Sequence, residues 1–325
     1  MIDSIAAYRE QFLEYLGAIA PKDPPDGLYE PVRYILEMGG KRMRPVLVLL
    51  SADLFGASPK EALPAAAAVE VFHNFSLIHD DIMDAAPLRR GKPTVHKRWD
   101  LNTGILSGDA MLILAYQQLE AYGDPQFGQL IRLFSRTALE VCEGQQYDMD
   151  FENRDDVALA EYQRMIELKT AVLLGCALQM GAIVGGAEAP EQAAVYRFGI
   201  ALGMAFQLQD DYLDAFGDPE RFGKQVGGDI IENKKTYLYL KALEEANPDQ
   251  QRELTDLYSI TPSQPGDKVK RVLQLFRSTG ADEKTRERIA AYTDQAFQDL
   301  EALSGNPKAK AALHEFGSWL LKRDF

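Results

Sequence analysis

Cysteine is nearly absent: Cys142 and Cys176 are the only two in 325 residues. They lack metal-ligand spacing and are too few for a disulfide framework, so they read as small buried hydrophobes in a reducing compartment. Basic charge is also scarce. Thirty-five Lys and Arg face 49 Asp and Glu, for a net charge of −14 and a pI near 4.8. No basic stripe is long enough to follow a phosphate backbone, which argues against a nucleic-acid partner. No apolar run approaches the roughly 20 residues that span a bilayer. The N-terminal MIDSIAAYREQFLEYL is amphipathic with acids in its first turns, unlike a signal peptide, and a cytoplasmic protein is expected. Convincing strand alternation and Pro/Gly/Ser-rich linkers are missing too. The fold class expected is therefore all-α, one domain over 1–325, although length alone would suggest two.

What is present is apolar spacing at helical period. Helices are expected over 2–20, 28–38, 46–55, 59–83, 100–122, 126–150, 157–186 and 191–216. Five more, amphipathic and without evident chemistry, follow between 236 and 322. The stretches 46–55 and 59–83 are alanine-rich and apolar on most sides, as deep bundle helices are.

Two acidic motifs stand out. Asp210 and Asp214, in FQLQDDYLD, lie four apart and share a helix face, with Asp211 about 100° round. Asp80, Asp81 and Asp84, in SLIHDDIMD, repeat the arrangement at the end of another apolar helix. One such motif is ordinarily a solvated acidic face. Two, each followed by a basic glycine-containing segment, call for a counter-ion. If the helices face each other, Mg²⁺ suits them, because it takes one or two carboxylates per site and completes its shell with water and phosphate oxygens. Lys41 and Arg44 follow the helix-breaking Gly39 and Gly40 in GGKRMRP. A charged loop is the plain reading, and a diphosphate anchor the functional one. Lys169 enters an apolar stretch, which is unfavourable without a partner.

GGKRMRP, LIHDDIMD with LRRGKPTVHKRW, LKT at 168–170, and FQLQDDYLD with GKQVGGD together resemble the trans-prenyl diphosphate synthases, in the expected order over roughly 36–236. The resemblance implies an isoprenoid-synthase-type helical bundle around a deep central cavity, working as a homodimer. It implies a prenyltransferase that joins isopentenyl diphosphate to an allylic diphosphate, with three Mg²⁺ held by Asp80, Asp81, Asp84, Asp210, Asp211 and Asp214. By the same resemblance Lys41, Arg44, His73 and Arg90 hold the isopentenyl diphosphate. Arg89, Lys169 and Lys224 clamp the allylic one, with Lys234 near it, and Gln145 and Asp148 look into the cavity. Thr170 and Gln207 orient substrate or stabilise positive charge; their plainer reading is helix-surface polarity. His79 packs or hydrogen-bonds.

Product length follows from a ruler. If the chain grows away from the aspartates along 59–83, each helical turn of about 5.4 Å takes about one five-carbon unit. Phe75 and Ser76 lie just over one turn back and Phe72 two turns back, suggesting a floor at roughly fifteen to twenty carbons. The first motif lacks the extra residue pair of many shorter-chain bacterial relatives. A class I terpene cyclase is the nearest rival but would not share the second aspartate motif or GGKRMRP. A non-catalytic subunit of a heteromeric synthase would have lost acids or cations that this chain keeps.

Overall fold

The computed structural model describes residues 3–21, 23–218 and 227–321, and they are overwhelmingly helical. They form two compact units. The first comprises 1–138, 173–196 and 302–316; the second comprises 139–172, 197–301 and 317–325.

In the first unit, α1 (Asp3–Ile19), α2 (Asp26–Glu37), α3 (Met43–Leu54) and α4 (Leu63–Met83) precede a short hairpin, β1 (Leu88–Arg89) and β2 (Lys92–Pro93). Its register pairs Leu88 with Pro93 and Arg89 with Lys92. Two-residue strands cannot display alternation, so the sequence pattern does not reveal them. After a single turn, α5 (Val95–Arg98), the Asp100 side chain caps α6 (Leu101–Gln118) by accepting from the Thr103 amide at 2.8 Å. That contact satisfies an otherwise orphaned donor. The alanine run of α4, Ala65 to Ala68, is wholly buried, which lets α3 and α6 both pack against it. Ser51 of α3 donates to the Leu178 carbonyl at 2.6 Å, joining α3 to α9 (Val172–Val184).

The second unit takes the end of α7 (Gln126–Glu152), α8 (Leu159–Ile166), most of α10 (Ala189–Phe216) and the one-turn α11 (Gly228–Ile231). Then come α12 (Tyr237–Glu245), α13 (Pro248–Tyr258), α14 (Gly266–Ser278) and α15 (Ala281–Ala302), while most of α16 (Pro307–Leu321) belongs to the first unit. Its core gathers Phe151, Tyr162, Met165, Leu208, Tyr212, Leu238, Leu254, Phe276 and Ile289.

Between α8 and α9 the helix widens into a π turn, Glu167–Ala171, where a continuous helix is expected. Two glycines explain it. A Cβ on Gly144 of α7 would lie 2.3 Å from the Lys169 amide nitrogen, and one on Gly203 of α10 would lie 2.6 Å from the Ala171 Cα. Both helices thus approach the turn to backbone contact. Gly144→Ala is expected to push α7 off the turn, with a loss of about 1–2 kcal/mol in urea denaturation and a fall in activity as Lys169 moves.

The run Leu159–Val184 is apolar and long enough to cross a membrane by composition, which the sequence reading did not anticipate. However, 78% of its apolar window is buried inside the protein, as in a core helix. Cys176 is buried as expected, but Cys142 is exposed on α7. Its neighbour Val141 takes the inward position instead.

Candidate active site

In the first unit the aspartates end α4 and meet the hairpin. Arg89 donates through Nε to both oxygens of Asp81 at 2.9 Å and through Nη2 to Asp80 at 3.2 Å. Asp81 is buried, Asp80 half-buried and Asp84 exposed. Burial pushes the Asp81 acid up against the lowering pull of Arg89. Burial also disfavours the Arg89 cation, but the Asp81 hydrogen bond and the charges of Asp81, Asp80 and Asp84 outweigh it and raise its pKa. Arg89 therefore stays charged at the mouth of the motif.

Beside it lies a cationic cluster. Lys41 is exposed and Arg44 half-buried on the first turn of α3. Arg44 Nη1 lies 3.2 Å from His73 Nε2. A guanidinium only donates, so His73 Nε2 accepts and the imidazole proton sits on Nδ1. Burial, then the charges of Arg44, Arg90, Arg89 and Arg42, hold His73 well below its ordinary pKa, so it is neutral at pH 7. Burial brings Arg44 down to about 10, although Glu70 acts to raise it. Arg90, at a left-handed φ of 54°, donates to the Gly39 carbonyl, tying the hairpin to the glycine loop.

The loop's own anchor was not legible in the sequence. Arg42, buried with a left-handed φ of 52°, pairs with buried Glu70 and donates to the Leu36 carbonyl. Asn74 donates to the carbonyl and carboxylate of Glu70 at 2.7 and 3.2 Å. Glu70 thus opposes a local surplus of arginines and fixes the strained residue between Lys41 and Arg44.

Below the aspartates on α4, Phe75 and Phe72 are buried. The Phe72 ring lies 5.5 Å from Phe75 and 5.4 Å from Phe134, while Phe75 meets His79 edge-on at 4.8 Å. Ser76 Oγ donates back to the His73 carbonyl at 2.8 Å. Phe134, Phe72, Phe75 and His79 thus form a continuous run of ring contacts.

In the second unit, Asp211 is buried and receives hydrogen bonds from Tyr162 Oη and, at 3.1 Å, from Gln207 Nε2. Thr170 Oγ1 donates to Gln207 Oε1 at 3.1 Å. Thr170, Gln207 and Tyr162 therefore act as a brace behind Asp211. Asp214 accepts the Asp229 amide at 2.9 Å, and Asp210 is half-buried beside them. Burial and then the charge of Asp229 drive the Asp211 acid well up; Tyr162 and Gln207 oppose the rise, and Asp210 adds to it. Lys169, on the π turn, pairs with Asp148 at 2.5 Å. The nearby Gln145 Nε2 is buried and has no hydrogen-bond partner among the described residues.

Lys234 lies 2.9 Å from Glu232 and 4.0 Å from Asp229. Its pKa is raised by Glu232, Asp229 and Asp148 against the lowering effect of burial. Lys235 instead donates to the Phe151 carbonyl at 3.0 Å and serves the fold. Lys224 lies outside the described residues. Asp229 was not singled out in the sequence reading; the GGD that carries it was visible, but its contact with Asp214 comes only from folding.

Among the described residues, no group of three His, Cys, Asp or Glu side chains closes on a point that could hold a metal by itself. The donors nevertheless fit Mg²⁺: they are all carboxylate oxygens, and Mg²⁺ characteristically uses one or two of them beside waters and phosphate oxygens. The repulsion from Asp229 and Asp210, which adds to the effect of burial on Asp211, is what a divalent cation would relieve.

An all-α bundle with two aspartate-tipped helices and arginines beside one of them is the architecture of the isoprenyl diphosphate synthases. The polyprenyl synthetase family model matches residues 25–276. A short chain isoprenyl diphosphate synthase of Methanothermobacter thermautotrophicus is 37% identical over 100% of this chain and 99% of its own length. A geranylgeranyl pyrophosphate synthase of Geoglobus acetivorans is 36% identical over the whole of both chains. A solved geranylgeranyl pyrophosphate synthase, 54% identical, matches 100% of each chain with a TM-score of 0.95. The chain belongs to the polyprenyl synthetase family; it is a prenyltransferase with the all-α isoprenoid-synthase fold.

Proposed function

We propose that the protein condenses isopentenyl diphosphate head-to-tail with an allylic diphosphate, with Mg²⁺ bound, to give a prenyl diphosphate of the twenty-carbon class. The observation that carries this reading is that one chain holds two aspartate motifs and, apart from them, an arginine cluster. One diphosphate must leave, which needs cations and carboxylate-held metal, and the other must stay, which needs arginine and lysine alone.

Lys41, Arg44 and Arg90 bind the isopentenyl diphosphate. Neutral His73 keeps the Arg44 fork aimed by accepting one of its hydrogens. Arg89, Lys169 and Lys234, with Lys224, bind the allylic diphosphate. Bound to Asp80, Asp84 and Asp210, with Asp81, Asp211 and Asp214 as ligands or holders of water, Mg²⁺ (three ions, as in the resemblance) would neutralise charge developing on the leaving group. The allylic carbon–oxygen bond breaks with its electron pair going to the diphosphate. The isopentenyl double bond supplies the pair for the new carbon–carbon bond. The proton then lost goes to the departing diphosphate, since no side chain is required as base. The cations contribute by orientation, and both aspartate motifs serve the same turnover, so 1–325 works as one domain. A homodimer and a cytoplasmic location complete the proposal.

The test is incubation with Mg²⁺, isopentenyl diphosphate and farnesyl diphosphate, followed by chromatography of the products; no elongation from any allylic starter would sink the reading. Phe75→Ala is expected to shift products about one five-carbon unit longer, because one turn of α4 spans about that length. An unchanged distribution would remove Phe75 from the floor.

A further inference from the structure

The segment 227–234 carries Asp229 and Lys234, and both of its ends rest on the first turn of α14, a helix in which the sequence shows only amphipathic spacing. At one end, Gly227 has φ +80°, and a Cβ there would lie 2.7 Å from Val269 Cγ1. At the other, Asn233 adopts a left-handed φ of 59°, which reverses the chain after α11. Its side-chain oxygen accepts from Lys268 Nζ. Lys268 is 4% exposed. Its ammonium also donates to the Ile260 carbonyl at 3.0 Å and lies 5.6 Å from the centre of the Tyr258 ring. A buried ammonium among neutral groups is unfavourable unless its hydrogen bonds are all used. A side chain that only filled space there would be better apolar.

The reversal at Asn233 also sets the distal contacts of the segment. The Lys234 amide donates to the Asp229 carbonyl at 2.9 Å. The Asp229 amide donates to Asp214 at 2.9 Å. A shift of Asn233 therefore moves Lys234 and Asp229 together, and with them the backbone support of Asp214.

We infer that Lys268 is a positioning residue for the condensation, clamping Asn233 so that Lys234 and Asp229 are presented to the allylic diphosphate. This rests on the reading of Lys234 as a ligand of that diphosphate. Lys268→Met keeps the length and apolar stem of the side chain and removes the clamp. It is expected to raise KM for farnesyl diphosphate about tenfold, the scale of a misplaced positioning contact, with KM for isopentenyl diphosphate within about twofold of the wild type.

Asn233→Gly preserves the left-handed backbone and deletes the acceptor, so it must give the same substrate-selective defect even if Lys268→Met folds poorly. Asn233→Asp gives Lys268 an anionic partner and should leave both KM values near those of the wild type. Wild-type KM values in Lys268→Met and Asn233→Gly, or losses shared equally by both substrates and tracking Tm, would overturn the inference. Lys234→Ala separates the two layers. If it raises KM for farnesyl diphosphate while Lys268→Met does not, only the clamp is wrong. If Lys234→Ala leaves that KM unchanged, the reading of Lys234 fails, and the clamp with it.

Discussion

Asp80→Ala should lower kcat/KM by about 10³-fold, the scale seen when one preorganised group that stabilises developing charge is deleted, while circular dichroism and Tm change little. Asp80 is half-buried at the end of α4, and Arg89 keeps both of its Asp81 contacts when Asp80 is gone. Asp81→Ala is a contrasting case. Asp81 is buried and takes the Arg89 Nε hydrogen on both oxygens, so removing it strips Arg89 of its fork and loosens the hairpin. That variant should lose turnover and also about 1–3 kcal/mol of stability, as expected when a largely buried charged partner is left unsatisfied. Raised Mg²⁺ should partly restore Asp80→Asn, which keeps one oxygen donor, and not Asp81→Ala. Equal loss of stability in the two alanine variants would contradict the division between an aspartate that serves the ligand and one that serves Arg89.

The parts of the site that were legible in the sequence are those whose chemistry is local. Asp80 with Asp84, and Asp210 with Asp214, announce themselves because the helical period brings like charges onto one face. Gly39 and Gly40 likewise mark the loop that presents Lys41 and Arg44. The illegible parts depend on partners far along the chain. Glu70 sits in a run of alanine and valine and reads as an intruder until Arg42 reaches it from 28 residues away. The π turn under Lys169 has no signal of its own, since Glu167–Ala171 continues the helical pattern on both sides. It becomes visible only when Gly144 and Gly203 are seen to admit neighbouring backbone. Tyr162 looks like any core aromatic until its hydroxyl meets Asp211. Thr170 and Gln207 are expected to orient substrate or stabilise positive charge; in the fold they hydrogen-bond each other, and Gln207 also bonds Asp211, a link that spacing could not supply.

His73 offers a test of the cationic cluster that needs no substrate. Its pKa is held well below the ordinary value of 6.5, first by burial and then by Arg44, Arg90, Arg89 and Arg42; Glu70 is the nearby carboxylate that offsets the arginines. In the unfolded chain His73 takes up a proton below about pH 6.5, whereas in the folded protein it does not. Stability from this group is therefore fully present above the unfolded pKa and falls as the pH drops below it, until the folded pKa is reached. Over that window one proton of difference gives a slope of about 1.4 kcal/mol per pH unit. His73→Gln keeps an acceptor for Arg44 and does not titrate. Urea denaturation of the two proteins between pH 7.5 and 5 should show the wild type losing stability faster, the difference in slope approaching one proton. Carboxylates elsewhere titrate alike in both and cancel. Parallel curves would mean that His73 is protonated as easily in the folded state as in the unfolded. The Arg44 contact would then need a cation beside a cation, and the neutral imidazole that aims the guanidinium at the isopentenyl diphosphate would have to be abandoned.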